Sequence, residues 1–98
     1  MSEPKKTLLV VEDDPGLQKA LRWAFSDFEV VTAEDRKTAI AQLRRHEPQV
    51  VTLDLGLPPD PGSASEGLAT LQELVSLAPN IKVIVVTGND DHENAVRA

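Results

Sequence analysis

Four polar residues follow directly on apolar, β-branched runs of the sequence. Glu12 and Asp13 come after TLLVV, Asp54 ends QVVTLD, and Thr87 ends KVIVVT. Because the carboxyl ends of parallel strands meet at one edge of a sheet, we expect these side chains to converge. Three carboxylates in a partly dry pocket repel one another unless a cation compensates. Since the ligands are oxygens only and the chain has no cysteine, the pattern favours Mg²⁺.

Such a metal site would give Asp54 a chemical role. A carboxylate is a weak nucleophile, but beside a divalent cation that neutralises an incoming phosphoryl group it can form an aspartyl phosphate. Phosphoryl transfer mainly requires positioning and charge stabilisation. Thr87 would donate its hydroxyl hydrogen bond to a phosphoryl oxygen, and Gly88 leaves space beside it.

The elements that must position these residues alternate between short apolar runs and amphipathic segments, which predicts an α/β fold with a parallel sheet. Strands are predicted at 7–11, 29–33, 49–54 and 82–87. Asp14 and Pro15 provide an N-cap and a first-turn proline for helix one, whose apolar pattern continues to Phe28. Trp23 lies off that apolar stripe and is either a half-exposed packing residue, which we favour, or a contact for a partner.

The later helices also have sequence signals at their ends. The segment 34–47 predicts a second helix with acids in its first turn, bases in its last turn and Pro48 as its stop. Ser63 and Glu66 have capping-box spacing at the start of a third helix, which Pro79 ends. Residues 88–98 predict the start of a fourth helix.

The motifs LLVVEDD, VVTLDLGLP and VIVVTG, in this order, resemble those of the receiver domain of bacterial two-component response regulators. The resemblance implies a flavodoxin-like (CheY-like) doubly wound sheet of order 2-1-3-4-5. It also implies that Asp54 accepts phosphate from a histidine kinase and switches an output domain or downstream partner. Asp13 would bind Mg²⁺ directly, Glu12 mainly through water, and Gly56 through its backbone carbonyl. Thr87 would be the switch hydroxyl.

The chain departs from the family pattern in two places. The glycine that begins helix three is Gly67, so the loop at 58–66 contains an insertion that shields the site or biases kinase docking. The sequence also ends before a fifth strand, its lysine and a fifth helix, which predicts that residues 1–98 are a C-terminally incomplete receiver domain. Strand four would then be an uncovered edge, which a dimer or a swapped assembly would cover.

Composition limits the remaining classes of function. The 98 residues suit one domain, and the net charge of −6 argues against direct nucleic-acid binding by this segment. No apolar run is long enough to span a membrane, and no secretory signal precedes the first strand, so we expect a cytoplasmic location.

Three other functions compete with that of a phosphoacceptor. A phosphohydrolase of the haloacid-dehalogenase type needs a second aspartate two residues after the nucleophile, where this chain has Gly56. A dinucleotide site needs a glycine-rich turn after strand one, where the chain has EDDPG. A receiver-like interaction module that is not regulated by phosphorylation stays open, because the lysine is missing while Glu12, Asp13, Asp54 and Thr87 are intact.

Overall fold

The computed structural model describes residues 5–58 and 64–86. Strands and helices alternate throughout this part of the chain, as the sequence predicts. The elements are β1 (Thr7–Val11), α1 (Pro15–Ala24), β2 (Glu29–Ala33), α2 (Arg36–His46), β3 (Val50–Asp54), α3 (Ser65–Leu77) and β4 (Lys82–Val86). Among the described residues, no helix is long and apolar enough to cross a membrane. The predicted start of a fourth helix at 88–98 lies outside the described residues.

The four strands form one parallel sheet of order β2-β1-β3-β4, which confirms the predicted order as far as β4. Val10 of β1 pairs with Thr32 on one side and with Thr52 on the other. The two central strands are buried along four of their five residues. Because they lie side by side, the residues that follow β1 and those that end β3 are neighbours at one edge of the sheet.

The main core lies between the sheet and the layer formed by α2 and α3. Leu9, Val11, Val51 and Leu53 project from the central strands into this layer, and each is almost fully buried. Their partners from the second strand, the helices and the loop after β3 are Ala33, Ala39, Leu43, Leu57 and Leu74. This core holds the central strands in place, and their carboxyl ends therefore form a rigid base for a site.

Helix α1 is less tightly packed, since none of its residues is buried. Trp23 is 76% exposed, so the prediction that it is a packing residue is wrong. The helix also ends at Ala24, although the apolar pattern continues. Phe25 and Phe28 belong to the following turn, where their rings meet edge to face at a centroid distance of 6.1 Å. The N-cap prediction is confirmed, because the Asp14 carboxylate accepts a hydrogen bond from the Gly16 N–H.

Helix α2 starts with a reciprocal cap that the sequence analysis missed. Glu34 and Asp35 precede the helix instead of occupying its first turn, so that prediction is wrong. The Asp35 carboxylate accepts the Thr38 N–H at 2.8 Å, and the Thr38 hydroxyl accepts the Asp35 N–H at 3.1 Å. The end of the helix agrees with the prediction, with bases in the last turn and Glu47 in the left-handed region at φ 49° before Pro48.

Replacing Asp35 with alanine is expected to lower the free energy of unfolding by about 1 kcal/mol, because the first turn of α2 loses its cap. The Thr38 N–H and hydroxyl lower the pKa of Asp35 below its ordinary value of 3.8. The stabilisation is therefore present above that value and is lost as the pH falls through the lower folded-state pKa. Urea unfolding at neutral and acid pH measures both effects. Asp35→Asn keeps an acceptor and should lose less, and equal stability of Asp35→Ala and wild type would contradict the account.

Helix α3 begins close to the backbone that follows β3. Its N-cap is Ala64, one residue after the predicted cap Ser63, which lies outside the described residues. Gly67 is buried in the first turn, and a Cβ atom there would lie 2.3 Å from Leu55 Cα. The absent side chain therefore lets the helix approach the segment next to Asp54. Pro79 follows the end of the helix, as predicted.

Candidate metal and phosphoacceptor site

Three acidic side chains meet at the carboxyl edge of the central strands. Glu12 and Asp13 directly follow β1, and Asp54 is the last residue of β3. Val11 pairs with Leu53, which places the ends of the two strands next to each other. One carboxylate oxygen from each acid lies within 4.8 Å of the others. The structure therefore brings together the three carboxylates that the sequence predicts.

Two of these acids are buried. Glu12 is 4% exposed and Asp54 is 7% exposed, whereas Asp13 faces the solvent. Within residues 5–58 and 64–86, the ion pair that the structure shows joins Arg36 to Glu66 at 3.6 Å and does not involve the acidic cluster. No lysine or arginine in this part of the chain therefore neutralises the cluster, and its negative charge favours a cation.

Main-chain groups orient both buried carboxylates. The Asp14 N–H donates to Glu12 Oε2 at 3.1 Å, and the Gly56 N–H donates to Asp54 Oδ1 at 3.1 Å. The Glu12 N–H in turn donates to the Ala33 carbonyl at 2.8 Å, which extends the pairing between β1 and β2 by one residue. These bonds fix the acids in place and leave further carboxylate lone pairs for a ligand.

The surroundings of Glu12 raise the pKa of its carboxyl group. Burial is the main cause that raises the pKa of Glu12 from its ordinary value of 4.5 to about 7. The Asp14 N–H acts against this shift, whereas the negative charge of Asp54 adds to it. A buried carboxyl with a raised pKa beside another carboxylate is typical of sites that bind a cation or carry out chemistry.

The raised pKa predicts a pH-dependent stability in the absence of added metal. Between pH 4.5 and about 7 the folded protein holds a proton on Glu12 that the unfolded chain has lost. Stability therefore falls as the pH rises through this window and levels off above it. In the Glu12→Gln variant this fall should disappear, as measured by urea unfolding with a chelator present across the window.

Glu29→Gln is the matched control for the Glu12 experiment, because Glu29 is an exposed acid at the start of β2. The Glu29→Gln variant should keep the wild-type dependence of stability on pH. A Glu12→Gln profile parallel to that of the wild type would show that Glu12 titrates at its ordinary value and would contradict this description of the site.

The donor set fits a hard divalent cation. All the ligand atoms in the cluster are carboxylate oxygens, and Asp13 leaves one side of the cluster open to water. Mg²⁺ binds in this manner, through one or two carboxylates and several waters. The predicted ligand role of the Gly56 carbonyl stays a prediction, since the structure shows only the bond from its N–H. Thr87, Gly88 and residues 59–63 of the predicted insertion lie outside the described residues.

The sequence analysis missed Gln18, which also contacts the site. Its side-chain Nε2 donates to the Glu12 main-chain carbonyl at 2.5 Å. Gln18 is four residues after the N-cap Asp14, and helical side chains lean toward the start of their helix. That position is the only sequence signal for the contact. The signal is not specific, because any long side chain at this position would lean the same way.

Comparison with known proteins identifies the family. The profile of the response regulator receiver domain matches residues 8–98. The probable transcriptional regulatory protein TcrX of Mycobacterium tuberculosis is 36% identical over 92% of this chain and 37% of its own length. The transcriptional regulatory protein GlrR of Escherichia coli is 32% identical over all of this chain and 21% of its own length. The chain thus spans a fifth to two fifths of these curated relatives.

Solved structures agree with the sequence comparison. A CheY-like response regulator receiver domain protein from Methanospirillum hungatei JF-1 superimposes with a TM-score of 0.75 at 28% identity, covering 94% of this chain and 71% of that chain. The crystal structure of the histidine kinase ThkA in complex with the response regulator protein TrrA contains a match with a TM-score of 0.74 at 25% identity, covering 89% of this chain and 72% of that chain. The predicted CheY-like fold is therefore confirmed. Together with its acidic edge, these matches show that the chain belongs to the response regulator receiver domain family.

Proposed function

We propose that this receiver domain is a phosphoacceptor in which Asp54 takes a phosphoryl group from a histidine kinase. The observation that carries the proposal is the buried Asp54 carboxylate at the end of β3, with oxygens of Glu12 and Asp13 within 4.8 Å. A free oxygen of Asp54 would form the new bond to phosphorus while the bond between phosphorus and the kinase histidine nitrogen breaks. The histidine keeps the electron pair of that bond and then takes up a proton.

Mg²⁺ is the proposed cofactor. Asp13 and Asp54 would hold it directly, Glu12 mainly through water, and Gly56 through its backbone carbonyl. When bound, the ion neutralises negative charge on the phosphoryl oxygens. The residues of the chain contribute the positioning: the Gly56 N–H holds one oxygen of Asp54, and the Asp14 N–H holds the Glu12 carboxylate beside it.

The switch residue is proposed on the basis of sequence. Thr87 follows β4 directly, and β4 pairs with β3 so that Val86 lies next to Asp54. In this proposal the Thr87 hydroxyl donates to a phosphoryl oxygen. In this proposal its movement toward the phosphoryl group carries the signal to a partner.

The proposed role is that of a signalling protein and not of an enzyme that turns over a substrate. Hydrolysis of an aspartyl phosphate is fast where a second acid, two residues after the nucleophile, activates water. In this chain that position is Gly56. The chain should therefore lose the phosphate slowly, while its cluster of acids assists its own phosphorylation. The alternative, an interaction module that acts without phosphorylation, has no need for three clustered acids that no lysine or arginine among the described residues pairs with.

The proposed partners are a histidine kinase and an output domain or downstream protein. The similarity to a chain in the ThkA–TrrA complex supports the first, and the similarity to part of longer transcriptional regulatory proteins supports the second. The net charge of −6 disfavours direct contact with nucleic acid by this segment. A cytoplasmic location fits a transcriptional role. That residues 1–98 are one C-terminally incomplete domain stays a prediction.

We also propose that a second copy of the chain packs against β4. Ile84 is 53% exposed and Val85 is 42% exposed, one on each face of this strand. Among the described strands, β4 lies at one edge of the sheet. The concentration dependence of the sedimentation coefficient would test for a dimer or a swapped assembly.

Intact-mass analysis tests the phosphoacceptor role. The protein is incubated with a small phosphodonor, such as acetyl phosphate, with Mg²⁺ or with a chelator. The expected result is one phosphoryl adduct that requires Mg²⁺ and is absent from the Asp54→Asn variant. No adduct on the wild-type protein, or an equal adduct on Asp54→Asn, would overturn the proposal.

A further inference from the structure

The acidic edge is tied to helix α1 by one side chain. Gln18 Nε2 donates to the main-chain carbonyl of Glu12 at 2.5 Å. This carbonyl belongs to the peptide unit that joins Glu12 to Asp13, and a peptide unit moves as a plane. The orientation of that plane determines the direction in which both acidic side chains leave the backbone.

In the part of the chain that the structure describes, the neighbouring strands do not hold this peptide unit through its carbonyl. The Glu12 N–H is held by the Ala33 carbonyl, but the register between β1 and β3 ends at Val11 and Leu53. Among the described residues, no strand therefore supplies a main-chain donor to the Glu12 carbonyl. Gln18 supplies the missing hydrogen bond from the first turns of α1.

We propose that Gln18 is a positioning residue for the cation site: it fixes the peptide unit between Glu12 and Asp13 so that both carboxylates face Asp54. This inference rests on the proposed Mg²⁺ site and adds a residue that touches neither the ion nor the phosphoryl group. It also makes α1, a helix with no buried residue, part of the geometry of the site.

The surroundings of Gln18 indicate that its hydrogen bond, more than packing, holds it in place. A cavity of about 310 Å³ lies between α1, β2 and α2, with Gln18, Thr38 and Gln42 in its lining. Because the side chain is only half-buried beside this space, loss of its donor leaves room for a water molecule to satisfy the carbonyl. Removal of the donor should therefore affect the direction of the carboxylates more than the stability of the fold.

The chain contains a matched control on the other side of the same cavity. Gln42 of α2 donates its Nε2 to the Thr32 carbonyl at 3.0 Å. This is the same chemical contact, from a glutamine on a helix to a main-chain carbonyl near the end of a strand. The two contacts differ in what they hold, since β2 contributes no carboxylate to the cluster.

The test compares Mg²⁺ binding by wild type, Gln18→Met and Gln42→Met, using isothermal titration calorimetry at a temperature where circular dichroism shows all three to be folded. Methionine keeps the length of glutamine and removes the donor. Gln18→Met is expected to weaken Mg²⁺ binding roughly tenfold, as measured for residues that orient metal ligands in other proteins. Gln42→Met should bind Mg²⁺ like the wild type.

A second readout does not depend on the metal. The Asp13 N–H belongs to the same peptide unit as the Glu12 carbonyl, so its NMR resonance in metal-free protein should shift in Gln18→Met and stay in place in Gln42→Met. Equal Mg²⁺ affinity of Gln18→Met and wild type, or an equal loss in both variants, would overturn the positioning role alone. Failure of the wild type to bind Mg²⁺ would overturn the proposed metal site and the positioning role together.

Discussion

Gly67→Ala is expected to destabilise the fold by about 3 kcal/mol, because the added methyl group has no space. A Cβ atom at Gly67 would lie 2.3 Å from Leu55 Cα and 2.4 Å from the Leu55 carbonyl oxygen. Both are main-chain atoms, so a side-chain rotation cannot relieve the contact. Either α3 or the segment that follows Asp54 must move, and Mg²⁺ affinity should therefore fall together with stability.

Gly16→Ala is the control for this substitution. Its Cβ atom would meet Asp14 Oδ1 at 3.4 Å, an ordinary contact distance, and Gly16 lies in the first turn of α1. Alanine is favoured over glycine in helices by up to about 1 kcal/mol, so this variant should be as stable as the wild type or more stable. Urea unfolding measures both variants. Wild-type stability of Gly67→Ala would mean that α3 does not approach Leu55 as described.

Asp13→Asn is expected to weaken Mg²⁺ binding about 100-fold, since loss of one charge next to a divalent ion in a partly exposed site costs about 3 kcal/mol. Asp13 is the exposed member of the cluster, so the substitution leaves the core unchanged. In the absence of metal, the Asp13→Asn variant should have the same unfolding temperature as the wild type. Isothermal titration calorimetry at neutral pH measures the affinity.

Asp14→Asn is the matched control for Asp13→Asn. It removes the same charge one residue further along the chain, and asparagine still caps α1. Asp14 lies outside the cluster of carboxylates. Near-wild-type Mg²⁺ affinity is therefore expected. If both variants lost affinity equally, the overall negative charge of the protein would attract the ion, and the description of a specific site would be wrong.

The sequence predicted the strands and the convergence of acids well, for a physical reason. The central strands are buried on both faces, so each is a continuous apolar run that ends where solvent or a ligand begins. β1 was found at the predicted residues, and β3 starts one residue later than expected, at Val50. Once the strands are parallel and adjacent, the positions of Glu12 and Asp54 follow from topology alone.

Helix ends and side-chain contacts were harder to predict, because local hydrogen bonds and packing determine them. The apolar pattern extends past the end of α1 at Ala24, since Phe25 and Phe28 are apolar but pack against each other in the following turn. The cap at Asp35 depends on the rotamer of Thr38, which no periodicity shows. The bond from Gln18 to Glu12 likewise joins residues whose types suit many surface positions.

The most direct test of the central claim identifies the residue that carries the phosphoryl group. Borohydride reduces an aspartyl phosphate to homoserine, which changes the mass of the residue permanently. After phosphorylation with Mg²⁺ and reduction, peptide mass spectrometry should place homoserine at position 54 and at no other aspartate. Homoserine at Asp13 or Asp14, or no conversion at position 54 while the intact protein carries phosphate, would contradict the account.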